Sequence, residues 1–511
     1  MSDWTAGYVA DVGYTFGYYP ELNPQRIKLA FLGAGLIPPE VGTACELGFG
    51  QGVSINHHAA ASVIKWQATD FNPSQAAFAQ EFANATQANV RLYDDAFADF
   101  CTRPDLPEFD YIGLHGIWSW VSDDNRKIIV EFIRKKLKVG GVVYMSYNAL
   151  PGWAAPSPLR HLIMQHAVTL GGSDAGMYDK IDGALAFANR LMAVNPIFLR
   201  ANPVIADKLK QLQGHNKSYL AHEYFNANWE SMYFSEIAEW LNGAKLDFAC
   251  SADMLQQLEP IIFNAEQLTF LNGIPSPVLR ETARDYIMNL QFRKDYWVKG
   301  ARKYAPAELT EAIRALRVVL TTHRSEVRLT TIGPMGEISM NPELYEPLLD
   351  AMSDHKVRSI AQLERLVTSV PLSHSQILQM IMVLSGAGYV YVAQDEQFVA
   401  KSKKQTDQAN LYLLNKARNN GSLLHLCSPV IGGGISVGWF AQLFLLARTK
   451  GHTTPAQWAS FAWTILQGLG QNVLKDGVAL VSAEDDLTEL TRIANLFSDK
   501  HMPVLKALQV I

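Results

Sequence analysis

Cysteine is scarce. Only Cys45, Cys101, Cys250 and Cys427 occur in 511 residues, and no pair has zinc-ligand or C-x-x-C spacing. That spacing argues against a zinc site or a disulfide framework, so buried thiols in a reducing compartment and no bound metal are expected. Long apolar runs are missing too. The most apolar late stretch, residues 429–446, is broken by Gly432, Gly433, Gly434 and Gly438. No insertion into a membrane is expected from it. The opening residues lack a basic segment followed by an apolar one, so a secretory signal is not read and a cytoplasmic location is the expectation. Nor is there an excess of positive charge. Lys and Arg total 44 against 49 Asp and Glu, a net charge of -5, which argues against a surface built to attract nucleic acid. No internal repeat or low-complexity tract stands out.

What is present has the balance of a globular protein. Hydrophobic residues make up 48% and charged residues 18%, enough to bury a core in each of several domains. The first 150 residues alternate strand-like and helix-like segments. Strands are read at residues 41–47, 65–70, 89–93, 109–115 and 142–147, with helices from about 53, over 74–84 and over 125–137. Gly140-Gly141 is read as the stop of the last of these helices. Strands separated by helices mean βαβ units and a parallel sheet. A break at Pro151-Gly152-Trp153 leads into a mostly helical stretch, and strand patterns return at 245–249 and 292–298. The expectation is an α/β first domain over residues 1–300, Rossmann-like and seven-stranded. It carries a helical insertion at about 158–243, read as a lid or a dimer contact.

Beyond 300 the pattern changes. Helices are expected around 344–351, 360–368 and 373–386, followed by a strand pair at 389–392 and 397–400. Helices ending in a small hairpin predict a winged-helix-like middle domain, 301–402, and then a helical C-terminal domain, 403–511. DNA binding needs Lys and Arg to neutralise phosphates, and none occurs from 366 to 400. The middle domain is therefore read as a packing or protein-recognition module.

The chemistry centres on Glu46-Leu-Gly48-Phe-Gly50-Gln-Gly52 at the end of the first strand. Glycines there form a tight strand-to-helix turn and let a ligand approach the backbone. Asp70 ends the second strand, where an acid accepts hydrogen bonds from ribose hydroxyls. The order GxGxG, rather than the GxGxxG of pyrophosphate loops, and the acid Glu46 before it suit a cationic amino group better than a phosphate. This favours S-adenosylmethionine over a nicotinamide dinucleotide. Asp95-Ala96, after the third strand, is read as the adenine-binding pair.

In chain order, ELGFGQG, ATDFNP, DDAF, FDYIGLHGIWSWVS and LKVGGVVYMSYNALPGW resemble the motifs of class I S-adenosylmethionine-dependent methyltransferases. HGIWSWV, YNALPGW, YTFGYYPELNP and HEYFN narrow the resemblance to those with a methyltransferase regulatory domain. That group is similar to the rickettsial-type protein lysine methyltransferases that modify outer-membrane proteins. The resemblance covers about residues 8–300. It implies a protein acceptor and a cofactor site lined by Glu46, Gly48, Gly50, Gly52, Asp70, Phe71, Asp95, Ala96, His115 and Tyr14. No Asn-Pro-Pro-Tyr motif follows the fourth strand, which argues against the amide- and base-nitrogen methylases.

A lysine acceptor, with a pKa near ~10.4, must lose a proton before it attacks, and an aromatic pocket lowers that value by desolvation. Trp118, Trp120, Tyr147, Trp153, Tyr219, Tyr224 and Tyr233 are the candidate lining, Trp118 first among them. No dedicated general base is visible; His115 and His222 are the candidates. His57 and His58 are read as structural or surface residues, and Tyr14 and Tyr18 as a flap over the cofactor. The alternatives are a small-molecule methyltransferase and a cofactor-binding regulatory or interaction protein. The roughly 200 residues beyond the first domain suit a large acceptor or a homodimer.

Overall fold

The structure is a computed structural model that describes residues 5, 7–172, 175–419 and 421–511. Its centre is a seven-stranded sheet. The strands are β1 (Thr43–Leu47), β2 (Lys65–Thr69), β3 (Val90–Tyr93), β4 (Phe109–Leu114), β5 (Leu137–Asn148), β6 (Asp247–Ser251) and β7 (Phe292–Val298). Their order is β3-β2-β1-β4-β5-β7-β6, and β7 runs antiparallel to both neighbours. The order reverses between β1 and β4. In such sheets the crevice beyond the strand ends at that switch point is where ligands bind.

The helix after β4, Asp123–Lys136, puts Arg134, Lys135 and Lys136 in its last turn, beside the negative end of its dipole. It stops at Leu137, whose extended backbone already begins β5. Gly140-Gly141 is thus not the helix stop expected from the sequence. It lies inside β5, where Gly140 N–H donates to Lys299 O at 2.7 Å and Lys299 N–H to Gly141 O at 3.0 Å. Arg293 of β7, the strand between β5 and β6, is held by Asp295 (2.8 Å), Asp285 (2.7 Å) and Glu281 (3.0 Å), all buried. Breaking one partner of such a network is costly because the others stay buried and charged.

Between β5 and β6 the chain leaves the sheet. Helices Ser157–Leu170, Met177–Ala193, Val204–Gly214 and Lys217–Tyr224 share a separate core around Leu159, Ile181, Leu209 and Leu220. Val9 and Val12 of the N-terminal segment join that core. The last helix of the stretch, Phe234–Asn242, returns to the sheet and packs with Trp118 and Trp297.

The middle region has helices Pro306–Ala315, Pro342–Ala351, Ile360–Leu366 and His374–Gly386 and a three-stranded sheet of Arg358–Ser359, Arg317–Leu320 and Val390–Val392. The expected second wing strand, 397–400, is instead helical. It opens the 21-residue helix Glu396–Lys416, and Val390–Val392 pairs with Arg317–Leu320 in its place. The four-residue run is short, and the packing of a long helix overrides it. That helix runs without a break across residue 402. It packs on the Val53–Ala61 and Pro73–Thr86 helices: Thr406 donates to Ala60 O (3.1 Å) and Tyr412 stacks on Phe82 (4.9 Å). Among the described residues no helix is long and apolar enough to cross a membrane.

Candidate active site

β1 ends in a loop whose three glycines all have positive φ: Gly48 at 73°, Gly50 at 58° and Gly52 at 67°. Close approach as well as φ requires two of them. A Cβ on Gly48 would lie 2.3 Å from Ile117 Cδ1, and one on Gly52 would lie 2.4 Å from Ala79 Cβ. The Gly48 N–H donates to Thr69 O at 2.8 Å, which ties the loop to the end of β2. There Asp70 accepts from the Gly50 N–H (2.8 Å, Oδ2) and the Asn72 N–H (3.0 Å, Oδ1). Each oxygen keeps a further lone pair for a ligand hydroxyl. Burial pushes the Asp70 carboxyl up to about 7 against these two hydrogen bonds.

Glu46 sits beneath the loop. It is buried, and its Oε2 has no hydrogen-bond partner among the described residues. Burial, with the Asp70 carboxyl as the lesser cause, pushes it up to about 8. At the end of β3, Asp95 pairs with Arg103 at 3.0 Å, and its main-chain oxygen accepts from the Thr69 hydroxyl. Asp95 and Ala96 form one wall of a cavity of about 120 Å³. Gly48, Asp70 and Phe71 line it, as do Ile117, Trp120, Ser122 and Asn125 from beyond β4.

The opposite wall was not legible in the sequence: Thr5, Gly7, Tyr8 and Asn228. The N-terminal segment is fastened there by Ala227 N–H to Gly7 O (2.9 Å) and Val9 N–H to Asn226 Oδ1 (3.0 Å). Tyr8 packs edge-on to Phe71, 5.4 Å between centroids. Tyr14 lies 4.9 Å from His222 and 6.4 Å from Trp120, and its carbonyl accepts from Gln51 of the glycine loop. Tyr18 does not join this flap. Its hydroxyl accepts from the Gly434 N–H (2.8 Å) and meets His58 Nε2 (3.1 Å), tying the C-terminal hairpin to the helix after the loop. His57 and His58 are both buried in that helix, not at the surface. No group of three or more His, Cys, Asp or Glu among the described residues is arranged to hold a metal ion.

The remaining sequence candidates divide sharply. Trp120 is on the cavity wall. Trp118, the first choice, is not: it has 0% exposure and packs against Trp240 in the core at 5.9 Å. The short helix Trp118–Trp120 turns alternate indoles to opposite sides, and the apolar side under the sheet takes Trp118. Tyr147 is likewise buried and donates to Asp295 at 2.9 Å. Trp153 and Tyr224 pack together in the core of the inserted helices. His115 is half-buried, stacked on Tyr19 at 3.9 Å, with the Tyr144 hydroxyl 2.8 Å from its Nδ1. Burial pushes it down to about 4. His222 donates from Nε2 to Val12 O at 2.9 Å and so pins the N-terminal segment.

Known proteins match this architecture. A family model described as predicted methyltransferase regulatory domain covers residues 216–299. The Synechocystis protein sll1526 is 34% identical over 99% of both chains. The Rickettsia prowazekii protein RP028 is 31% identical over 40% of this chain and 82% of its own. In fold, the structure of PKMT2 from Rickettsia typhi in complex with AdoHcy superposes with a TM-score of 0.67 over 97% of this chain and 99% of that one, at 16% identity. The chain belongs to one family with the Synechocystis protein, matches the methyltransferase regulatory domain over residues 216–299, and has the fold of class I S-adenosylmethionine-dependent methyltransferases. The residues of the site fit S-adenosylmethionine. Glu46 Oε2, unpartnered among the described residues, suits an ammonium group, Asp70 retains lone pairs for hydroxyls, and Gly48 lets Ile117 close over the loop beside the cavity.

Proposed function

We propose that the protein is a protein lysine N-methyltransferase whose acceptor is a surface or outer-membrane protein. The observation that carries the methyl-donor half is the cavity between Gly48, Asp70 and Ala96, walled on its other side by Tyr8. In this reading Asp70 holds the ribose, Asp95 and Ala96 the adenine, and Glu46 the amino group. S-adenosylmethionine supplies a methyl on a sulfonium, open to in-line displacement by a neutral amine. The chain's own part is to align that amine and to keep water away, and alignment alone is worth several kcal/mol, up to about 7–11. Tyr8, Tyr14 and Trp120 present aromatic faces on the approach to the glycine loop, and such faces attract cations.

A protein acceptor is supported by the HGIWSWV and YNALPGW motifs and by the fold shared with PKMT2 over 97% of this chain. The test is transfer from methyl-labelled S-adenosylmethionine into envelope protein extract and, separately, into a small-metabolite extract. Label in protein, stable to mild base and lost in Asp70→Ala, is the expected result. Label only among small molecules would overturn the protein acceptor and leave a small-molecule methyltransferase. Cofactor binding with label in neither fraction would favour a regulatory protein.

A further inference from the structure

We propose that Glu223, set among Tyr14, Tyr19 and Tyr219, receives the acceptor's ammonium group and takes its proton. This rests on the reading of the acceptor as an amine.

Glu223 lies at the end of the Lys217–Tyr224 helix, next to His222. Its neighbour His222 is bonded to Val12 and packs on Tyr8 and Tyr14, so this end of the helix is held against the N-terminal segment that walls the cavity. Tyr8, Tyr14 and Tyr19 of that segment lie within its electrostatic reach, and so do Tyr219 and Tyr224 of its own helix. The group adjoins the cofactor loop directly, since the Tyr14 ring is 3.4 Å from where a Gly50 Cβ would stand. It also adjoins the end of β4, since Tyr19 stacks on His115 at 3.9 Å. The tyrosines within reach of Glu223 thus border both the glycine loop and the end of β4.

The carboxylate is half-buried and has no hydrogen bond or ion pair among the described residues. A charge taken out of water is normally paired. The facing cation is Lys208, and its ammonium is drawn over the Trp153 ring at 5.3 Å, more than an ion-pair distance from Glu223. A second ammonium entering between the phenol rings would find both the missing counter-ion and aromatic faces. Burial, only partly offset by Lys208, pushes the Glu223 carboxyl up to about 7, the range in which a carboxylate works as a general base at neutral pH. The step is a proton transfer. One N–H bond of the ammonium breaks, the proton goes to a Glu223 oxygen, and the nitrogen keeps the electron pair as a nucleophile. The two histidine candidates are less suited, one by its bond to Val12 and the other by its stack on Tyr19 and its low proton affinity.

The experiment compares the full-length protein with Glu223→Gln and Glu223→Asp. Titration with S-adenosylhomocysteine first checks that each variant is folded, and a change of less than about threefold is expected. n-Butylammonium, a mimic of the lysine side chain, is then titrated into the S-adenosylhomocysteine complex at pH 8. The parent is expected to bind it and Glu223→Gln to bind at least tenfold more weakly, with Glu223→Asp between them. Under single-turnover conditions the parent's transfer rate should rise through about pH 7, and Glu223→Gln should lose that limb along with 10²–10⁴-fold in rate. Equal binding of butylammonium by parent and Glu223→Gln, or none by a parent that binds S-adenosylhomocysteine, would overturn the assignment. Glu223-dependent amine binding with no label in protein would sink the protein acceptor and keep this amine site.

Discussion

Replacing Gly52 by alanine should disable the site through two separable costs. Gly52 caps the Val53–Ala61 helix at φ 67°, a left-handed backbone that costs an L-residue about 1–2 kcal/mol. The new Cβ would also stand 2.4 Å from Ala79 Cβ and 3.3 Å from Ala79 Cα, on the Pro73–Thr86 helix. Carbon atoms prefer roughly 3.5–4.0 Å, so that helix must retreat by about 1 Å, and overpacking of this kind costs about 1–3 kcal/mol. The sum is about 2–5 kcal/mol. For a cooperative unit of about 150–250 residues, each kcal/mol is ~2–4 °C in Tm, so a fall of roughly 4–20 °C follows. Ala79→Gly removes the atom that Gly52→Ala strikes, at about 1 kcal/mol of helix propensity of its own. In the double variant the overlap disappears and the φ cost stays, so the cycle should show a favourable coupling of about 1–3 kcal/mol. Thermal unfolding read by tryptophan fluorescence, alongside S-adenosylhomocysteine titration, makes the comparison. A Gly52→Ala protein within a degree of the parent, or a cycle with no favourable coupling, would refute the reasoning.

The Asp70 carboxyl, pushed up to about 7 by burial, should bind ribose hydroxyls only when ionised. Its share of the affinity is then present above pH 7 and lost below, so the Kd for S-adenosylhomocysteine should weaken roughly tenfold from pH 8 to pH 6, with a flatter profile in Asp70→Asn. Tyr18→Phe should strip the Gly434 N–H of its 2.8 Å acceptor and cost about 1–3 kcal/mol, seen as a lower Tm with S-adenosylhomocysteine affinity within about threefold of the parent. A Tm unchanged by Tyr18→Phe would mean the C-terminal hairpin is held by its apolar contacts alone.

That Gly48, Asp70 and the Asp95-Ala96 pair lie at strand ends around one cavity was legible because each position is a local event. A strand end, a positive φ and an acid at the next strand end can all be read from spacing along a few residues. β7 was legible over its full length because FRKDYWV carries an uninterrupted strand pattern. The wing strand failed because 397–400 is a short run whose state is set by what it packs against, and it packs as part of a helix on Pro73–Thr86. Trp118 failed for a related reason. Position after a strand end says that a residue is near the crevice, yet not which way a short helical turn points its indole.

The sequence by itself determined the parallel strands β1–β5, the glycine loop after β1 and the acids at the ends of β2 and β3, since these follow from local backbone geometry and spacing. Only the tertiary structure decided which aromatics reach the cavity. It alone brought Tyr8 and Tyr14 against a helix more than 200 residues away, and with them the unpaired Glu223. Such contacts depend on loop closure and packing between distant segments, and no short-range pattern of residues encodes them.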